Sequence, residues 1–318
     1  IMQKIKYTFN FCDDIEASME MNPGTASKEK CRALYQMGIN RLSIGLQSTN
    51  DMELKTLGRI HSYEDFINTY TWCREAGFQN INVDLMAALP YQTVESYTTG
   101  LRKIIRLAPE HISAYSLILE EGTPFYQKYN SGCYPLPDEE QERLMYRETE
   151  QILAQAGYER YEISNYAKKG YACRHNLVYW QGGDYLGLGL GSSSYMDGVR
   201  FHNTTDFNTY VNQGAYVEDR EELSVQAKME EFMFLGLRVM AGVSGTEFEK
   251  RFGKTMEDVY GDVLRKHEEE GLLQIERKED RKEAAAAEPA KGKTNIEKVM
   301  LTTKGVDVSN YVFADFLL

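Results

Sequence analysis

Arg174-His175-Asn176-Leu177-Val178-Tyr179-Trp180 sets a histidine beside an amide side chain and follows them with two large aromatics, and Cys173 lies just before the run. An iron macrocycle asks a protein for a nitrogen or sulfur at its metal and for aromatic or apolar surface against its ring. This stretch offers both within a few residues, which makes His175 a candidate iron ligand and Cys173 a second soft ligand beside it. On an extended segment Cys173 and His175 would project to one face, because strand side chains alternate. A histidine near a Tyr-Trp pair is more commonly a half-buried residue with a satisfied hydrogen bond, so the residues alone leave both readings open.

Polar residues also gather where short apolar runs end: Glu20-Met21-Asn22-Pro23, Gln47-Ser48, and Asp84 leading into Ala88-Leu89-Pro90. The runs are Ile15 to Glu20, Arg41 to Leu46, Ile81 to Met86 and Ile112 to Ile118, each strand-length and rich in β-formers. Helical patterns separate them, one from Ser27 to Met37-Gly38, one from Ser62 to Ala76-Gly77 and one from Thr93 to Leu107, stopped by Pro109. Strand then helix, repeated, predicts parallel βαβ units. In β/α barrels the C-terminal strand ends carry the chemistry.

Pro137-Asp138 opens a further helix to about Ala156. Residues 158 to 195 read as an irregular, Gly- and Tyr-rich region. Within it, Gly182-Gly183-Asp184-Tyr185-Leu186-Gly187-Leu188-Gly189-Leu190-Gly191 superficially resembles a nucleotide loop, but no strand-loop-helix frame surrounds it, and tight backbone packing is the expectation. Beyond Gln226 the pattern predicts helices near 229–239, 246–252 and 256–270, strands at 272–276 and 296–302, and a closing helix from Lys304 to Phe316, a winged-helix-like plan. The charged, alanine-rich stretch Arg277–Lys293 reads as a long mobile hairpin tip.

The 318 residues, 42% hydrophobic and 26% charged, suit one large or two ordinary domains. A net charge of −12 and a pI near 5.1 argue against a general nucleic-acid binder, since that function rewards a basic face. The same holds for the winged-helix-like part, which has no basic excess and is expected to pack on the main domain or a partner. Cys12, Cys31, Cys73, Cys133 and Cys173 form neither CxxC nor CxxxCxxC, so reduced cytoplasmic thiols are expected. No apolar run reaches membrane-spanning length.

Several motifs in one order then resemble a known family. They are Glu20-Met21-Asn22-Pro23-Gly24-Thr25, Arg41 to Ser48, Leu57-Gly58-Arg59, Asn82 to Met86 with Leu89-Pro90, Ile112 to Leu117, Glu121 to Phe125, Tyr158 to Ala167, and the His175 run. Together they resemble the oxygen-independent coproporphyrinogen III oxidase-like radical S-adenosylmethionine (SAM) proteins over almost the whole chain. The resemblance is closest to the heme-chaperone branch, HemW. It implies an α/β fold: a six-unit partial (β/α) barrel over 1–157, an irregular heme-motif region over 158–225, and a winged-helix-like C-terminal module over 226–318. It implies SAM at Glu20, Gln47, Arg59 and Asp84. Carboxylate and amide side chains hydrogen-bond ribose hydroxyls, and arginine pairs with a methionine carboxylate. It implies heme at His175, with Asn176 orienting the loop and Tyr179 and Trp180 packing the ring edge.

The family's four-iron cluster, 4Fe-4S, is held through CxxxCxxC, which this sequence lacks. That motif, the Gly-rich SAM-amine loop and the first two barrel strands are expected upstream of Ile1, and the present chain is expected neither to ligate the cluster nor to cleave SAM. Gly191-Ser192-Ser193-Ser194 stands where many relatives carry a histidine, which moves the expected iron ligand further toward His175. The leading expectation is therefore a cytoplasmic heme chaperone that passes heme to a hemoprotein, membrane-associated recipients included. The rival is oxidative decarboxylation of coproporphyrinogen III. A barrel with a raw parallel edge would also invite aggregation or pairing with a second chain, so a homodimer is a further expectation.

Overall fold

The computed structural model describes residues 1–214, 216–278 and 296–318. The chain divides into two compact units, Ile1–Cys173 and Arg174–Leu318.

The first unit runs α1 (Met2–Thr8), β1 (Ser18–Met21), α2 (Lys28–Gln36), β2 (Arg41–Gln47), α3 (Asp51–Thr56), α4 (Tyr63–Ala76), β3 (Ile81–Ala87), α5 (Val94–Arg106), β4 (His111–Ser116), α6 (Pro124–Asn130), α7 (Glu139–Gln155), β5 (Glu159–Glu162) and β6 (Asn165–Ala167). Local chemistry sets the helix ends. Ser62 closes a capping box with Asp65, and Gly77 ends α4 at φ 111°, a left-handed conformation that glycine adopts without a Cβ penalty. Thr93 closes a second box with Ser96 at the start of α5, and Asp138 caps α7.

The strands form one six-stranded sheet in the order β1-β2-β3-β4-β6-β5. β1 to β4 pair in parallel, and β6 adds antiparallel to β4. Leu42, Ile44, Leu46, Ile81, Val83 and Ile112 project from these strands into a core with Phe66, Cys73 and Phe78 from the α4 side.

The second unit runs α8 (Arg174–Trp180), β7 (Ser193–Met196), β8 (Val199–Asn203), α9 (Phe207–Gln213), β9 (Val217–Glu222), α10 (Val225–Gly236), β10 (Val243–Ser244), α11 (Gly245–Phe252), α12 (Met256–Glu269), β11 (Leu273–Arg277), β12 (Ile296–Leu301), α13 (Thr303–Asp307) and α14 (Ser309–Ala314). β7, β8 and β9 make a three-stranded antiparallel sheet. The C-terminal module has the winged-helix order, with β10 joining the expected hairpin as a third strand beside β12. Its core holds Met233, Leu237, Phe248, Tyr260, Leu264, Val299, Val312 and Phe316.

The division differs from the expected regions. Residues 159–167 are not irregular: they form a hairpin that completes the first sheet. Residues 174–225 supply a helix and a small sheet of their own. The closing helix breaks at Val308, which leaves helical geometry at φ −121°, ψ 31°. β11 extends through Arg277, and the rest of the expected hairpin tip, from 279, lies outside the described residues. Among the described residues, no helix is long and apolar enough to cross a membrane.

Candidate functional site

The C-terminal ends of β1 to β3 bring Glu20, Gln47 and Asp84 together, and Arg59 joins them from the turn after α3. Gln47 ends β2 at φ 72°, a left-handed backbone rare for a residue with a side chain, where the β2–β3 register also shifts. This turn presents its amide to Tyr115 of β4, whose hydroxyl donates to Gln47 Oε1 at 3.0 Å. Arg59 Nη1 donates to Asn22 Oδ1 at 3.3 Å. Gly45 leaves the middle open: a Cβ there would lie 3.0 Å from Gln47 Nε2, 3.6 Å from Asn22 Oδ1 and 3.9 Å from Asp84 Oδ2. Beside Glu20 a cavity of about 340 Å³ opens between β1 and α2, lined by Met19, Met21, Asn22, Lys30 and Leu34.

The electrostatics agree that these groups share one space. Burial holds the Asp84 carboxyl above its ordinary range, hydrogen bonds from Asn82, Ser113 and Ser43 oppose that, and the charge of Glu20 adds to it. Burial, with the Asp84 charge next, pushes the Tyr115 hydroxyl up to about 12, while Arg59 pulls the other way. Asn22, Ser43, Asn82, Ser113 and Tyr115 enter the site without having been singled out one by one. The signal for three of them, Asn82, Ser113 and Tyr115, was legible as polar residues at every second position, Asn82-Asp84 and Ser113-Tyr115, in strands that should read as continuous apolar runs when covered on both faces.

The second unit carries the His175 run on α8, a helix rather than an extended segment. The alternation argument for Cys173 and His175 therefore fails. Cys173 ends the first unit, 3% exposed, with its thiol 3.7 Å from Glu16 Oε1. His175 is exposed on α8 and meets Tyr179 one turn on, ring centroids 4.9 Å apart at 86°. Tyr179 in turn meets Tyr185 at 4.6 Å, and Tyr185 meets Tyr195 at 6.3 Å. Asn176 is half-buried.

Trp180 does not share this face, since five residues turn a helix by about 140° past a full turn. It lies under Arg238, 4.3 Å from guanidinium to ring, and lines a cavity of about 570 Å³ with Tyr195, Phe232, Val243 and Phe252. The expected pairing of Tyr179 and Trp180 at one ring edge thus becomes Tyr179 alone beside His175. Among the described residues no three His, Cys, Asp or Glu side chains converge as a metal site. Among the described residues, none of the five cysteines is in a disulfide.

Residues 2–104 match the radical SAM superfamily, and residues 223–279 match the HemN C-terminal domain. The heme chaperone HemW of Lactococcus lactis subsp. lactis (strain IL1403) is 35% identical over 306 residues, 95% of this chain and 76% of that protein. The chain belongs to the HemW family. The HemW of Bacillus subtilis (strain 168) is 38% identical over 262 residues, 81% of this chain and 69% of that protein. Among solved structures, the radical SAM coproporphyrinogen III oxidase HemN of Escherichia coli superposes with a TM-score of 0.79 over 99% of this chain and 73% of that one. At 20% identity this establishes the shared fold: a radical SAM α/β sheet with a HemN-type C-terminal module.

Proposed function

We propose that this HemW-family chain takes up heme and hands it to a hemoprotein, with His175 as the protein's ligand to the iron. The observation that carries the reading is the exposed His175 imidazole, held edge-on against Tyr179 on a short helix, in a chain 35% identical to a heme chaperone. Neutral imidazole offers one lone pair to iron, and the Tyr179 contact restricts how the ring can turn. An exposed ligand also suits delivery. A recipient that encloses the macrocycle in an apolar pocket gains the burial that an open helix face leaves unused, so heme moves downhill. Membrane-associated hemoproteins are included among the recipients, and the exchange belongs to the cytoplasm, where five cysteines outside any disulfide stay reduced. A homodimer paired along the β1 edge is part of the proposal, because that strand has one neighbour in its sheet.

The strand-end cluster fits SAM. Gly45 keeps the floor between Gln47, Asn22 and Asp84 clear of any side chain. Glu20 and Asp84 would accept ribose hydroxyls, Gln47 would meet them with its amide, and Arg59 would pair with the methionine carboxylate. When bound, SAM supplies an activated adenosyl group.

Hemin titration of the wild type and His175→Ala, followed at the Soret band, tests the proposal. The wild type is expected to give a ligand-shifted Soret band, and the variant to lose that shift and bind about tenfold or more weakly. Equal affinity and equal spectra would remove His175 from the reading.

A further inference from the structure

Behind Asp84 the strand register lines up a row of polar groups across the sheet. Asn82 sits opposite Ser43 on β2 and His111 on β4, and Asp84 sits opposite Gly45 and Ser113. Asn82 and His111 are 2% and 0% exposed. Asn82 Nδ2 lies 2.6 Å from Asp84 Oδ1 and 2.7 Å from Ser43 Oγ. Its Oδ1 lies 2.6 Å from His111 Nδ1 and 3.2 Å from Ser113 Oγ. On its other side His111 Nε2 is 2.9 Å from the Tyr161 hydroxyl, which accepts the Cys173 N–H at 3.3 Å.

An ionised carboxylate only accepts hydrogen bonds, so the NH₂ of Asn82 must face Asp84 and its oxygen must face His111. His111 therefore carries its proton on Nδ1, and its bare Nε2 takes the Tyr161 hydroxyl proton in a hydrogen bond. Burial, with Arg41 nearby, keeps this imidazole neutral far below the usual histidine range. The donors run one way, from the Cys173 peptide through Tyr161, His111 and Asn82 to Asp84.

We infer that His111 is a positioning residue: its Nδ1–H fixes the Asn82 amide, which aims the Asp84 carboxylate at the strand-end site and holds it as an acceptor. This rests on the reading of Asp84 as a cofactor-site residue. The chain has one alternative, its reversal, which leaves the Tyr161 hydroxyl proton without its His111 acceptor. A protonated Asp84 would donate to Asn82 Oδ1, turn the amide around, and shift the His111 proton to Nε2. The His111 tautomer thus reports the state of a carboxyl two hydrogen bonds away. The charged or titratable groups facing the pair are Glu20 from β1, Arg41 from β2, Arg59 from the turn after α3, Tyr115 from β4 and Tyr161 from β5.

NMR of protein labelled with ¹⁵N-histidine and ¹³C-aspartate tests this, with His111 and Asp84 signals assigned from His111→Asn and Asp84→Asn. At pH 7 wild-type His111 is expected to be neutral and protonated at Nδ1. His111→Ala is expected to raise the Asp84 titration midpoint by about one unit. His111→Asn, whose amide nitrogen falls where Nδ1 stood, should restore it, and His111→Gln, which reaches only toward Tyr161, should not. An Nε2–H tautomer or an imidazolium in the wild type overturns the inference. So does equal behaviour of the Asn and Gln variants, the signature of packing alone. Calorimetric SAM titration of wild type and Asp84→Asn tests the cofactor-site reading separately, so either can fail without the other.

Discussion

A carboxyl group ordinarily titrates near 4, and burial holds that of Asp84 above its usual value in the folded chain. A raised carboxyl pKa means that the fold favours the neutral form. That contribution is complete below the unfolded pKa and is lost as pH rises through the folded one. Ionised Asp84 therefore costs the empty protein stability at neutral pH, as expected of a group kept for a ligand. Asp84→Asn, neutral at every pH, is expected to raise the apo Tm by roughly 2–4 °C at pH 7. The gain should vanish by about pH 4, as scanning calorimetry across pH would show. A pH-independent difference would point to altered packing instead. At this scale the sequence was informative where chemistry follows strand ends: Glu20, Gln47, Arg59 and Asp84 do converge. His111 was not legible, because beside Pro109-Glu110 it reads as the start of an apolar strand. Only the register that sets it opposite Asn82 makes it a partner.

Elements whose ends are set locally were readable. Ser62 with Gly77, Thr93 and Asp138 each bound a helix within one residue of the expected place, because caps act over three or four positions. α8 was not readable, because Val178-Tyr179-Trp180 are strand formers and only a short helix binds them. The short strands of 158–225 escaped for a related reason: three to six residues carry little period. The Gly-rich run behaves as tight packing should. A Cβ on Gly187 would collide with the Ser193 carbonyl oxygen, which is backbone and cannot swing away. Asn203, 5% exposed, ties the same loop by donating to Gly189 O at 2.9 Å. Gly187→Ala is expected to cost about 1–3 kcal/mol by forcing this loop off β7, read as a lowered denaturant midpoint. Gly132→Ala, which meets nothing within 4 Å, would carry only its left-handed backbone strain and serves as the comparison.

Across the whole molecule the two units differ in what holds them. The first is a sheet completed by its own hairpin: β6 covers the edge of β4 that a further parallel strand would otherwise occupy, which moves the division from the expected 157 to Cys173. Its core draws on residues up to Tyr166, and the core of the second begins at Met229. No buried side chain belongs to both cores among the described residues, so each unit gains its burial free energy when its own elements assemble. Two thermal transitions are expected. Leu42→Ala and Met233→Ala each empty a fully buried site, at a cost of roughly 2–5 kcal/mol. Leu42→Ala should lower the midpoint of one transition and leave the other in place, and Met233→Ala should do the reverse, in differential scanning calorimetry of the whole chain. A single transition moved equally by both variants would mean that the units unfold as one, and that the hydrophobic division is not a cooperative one.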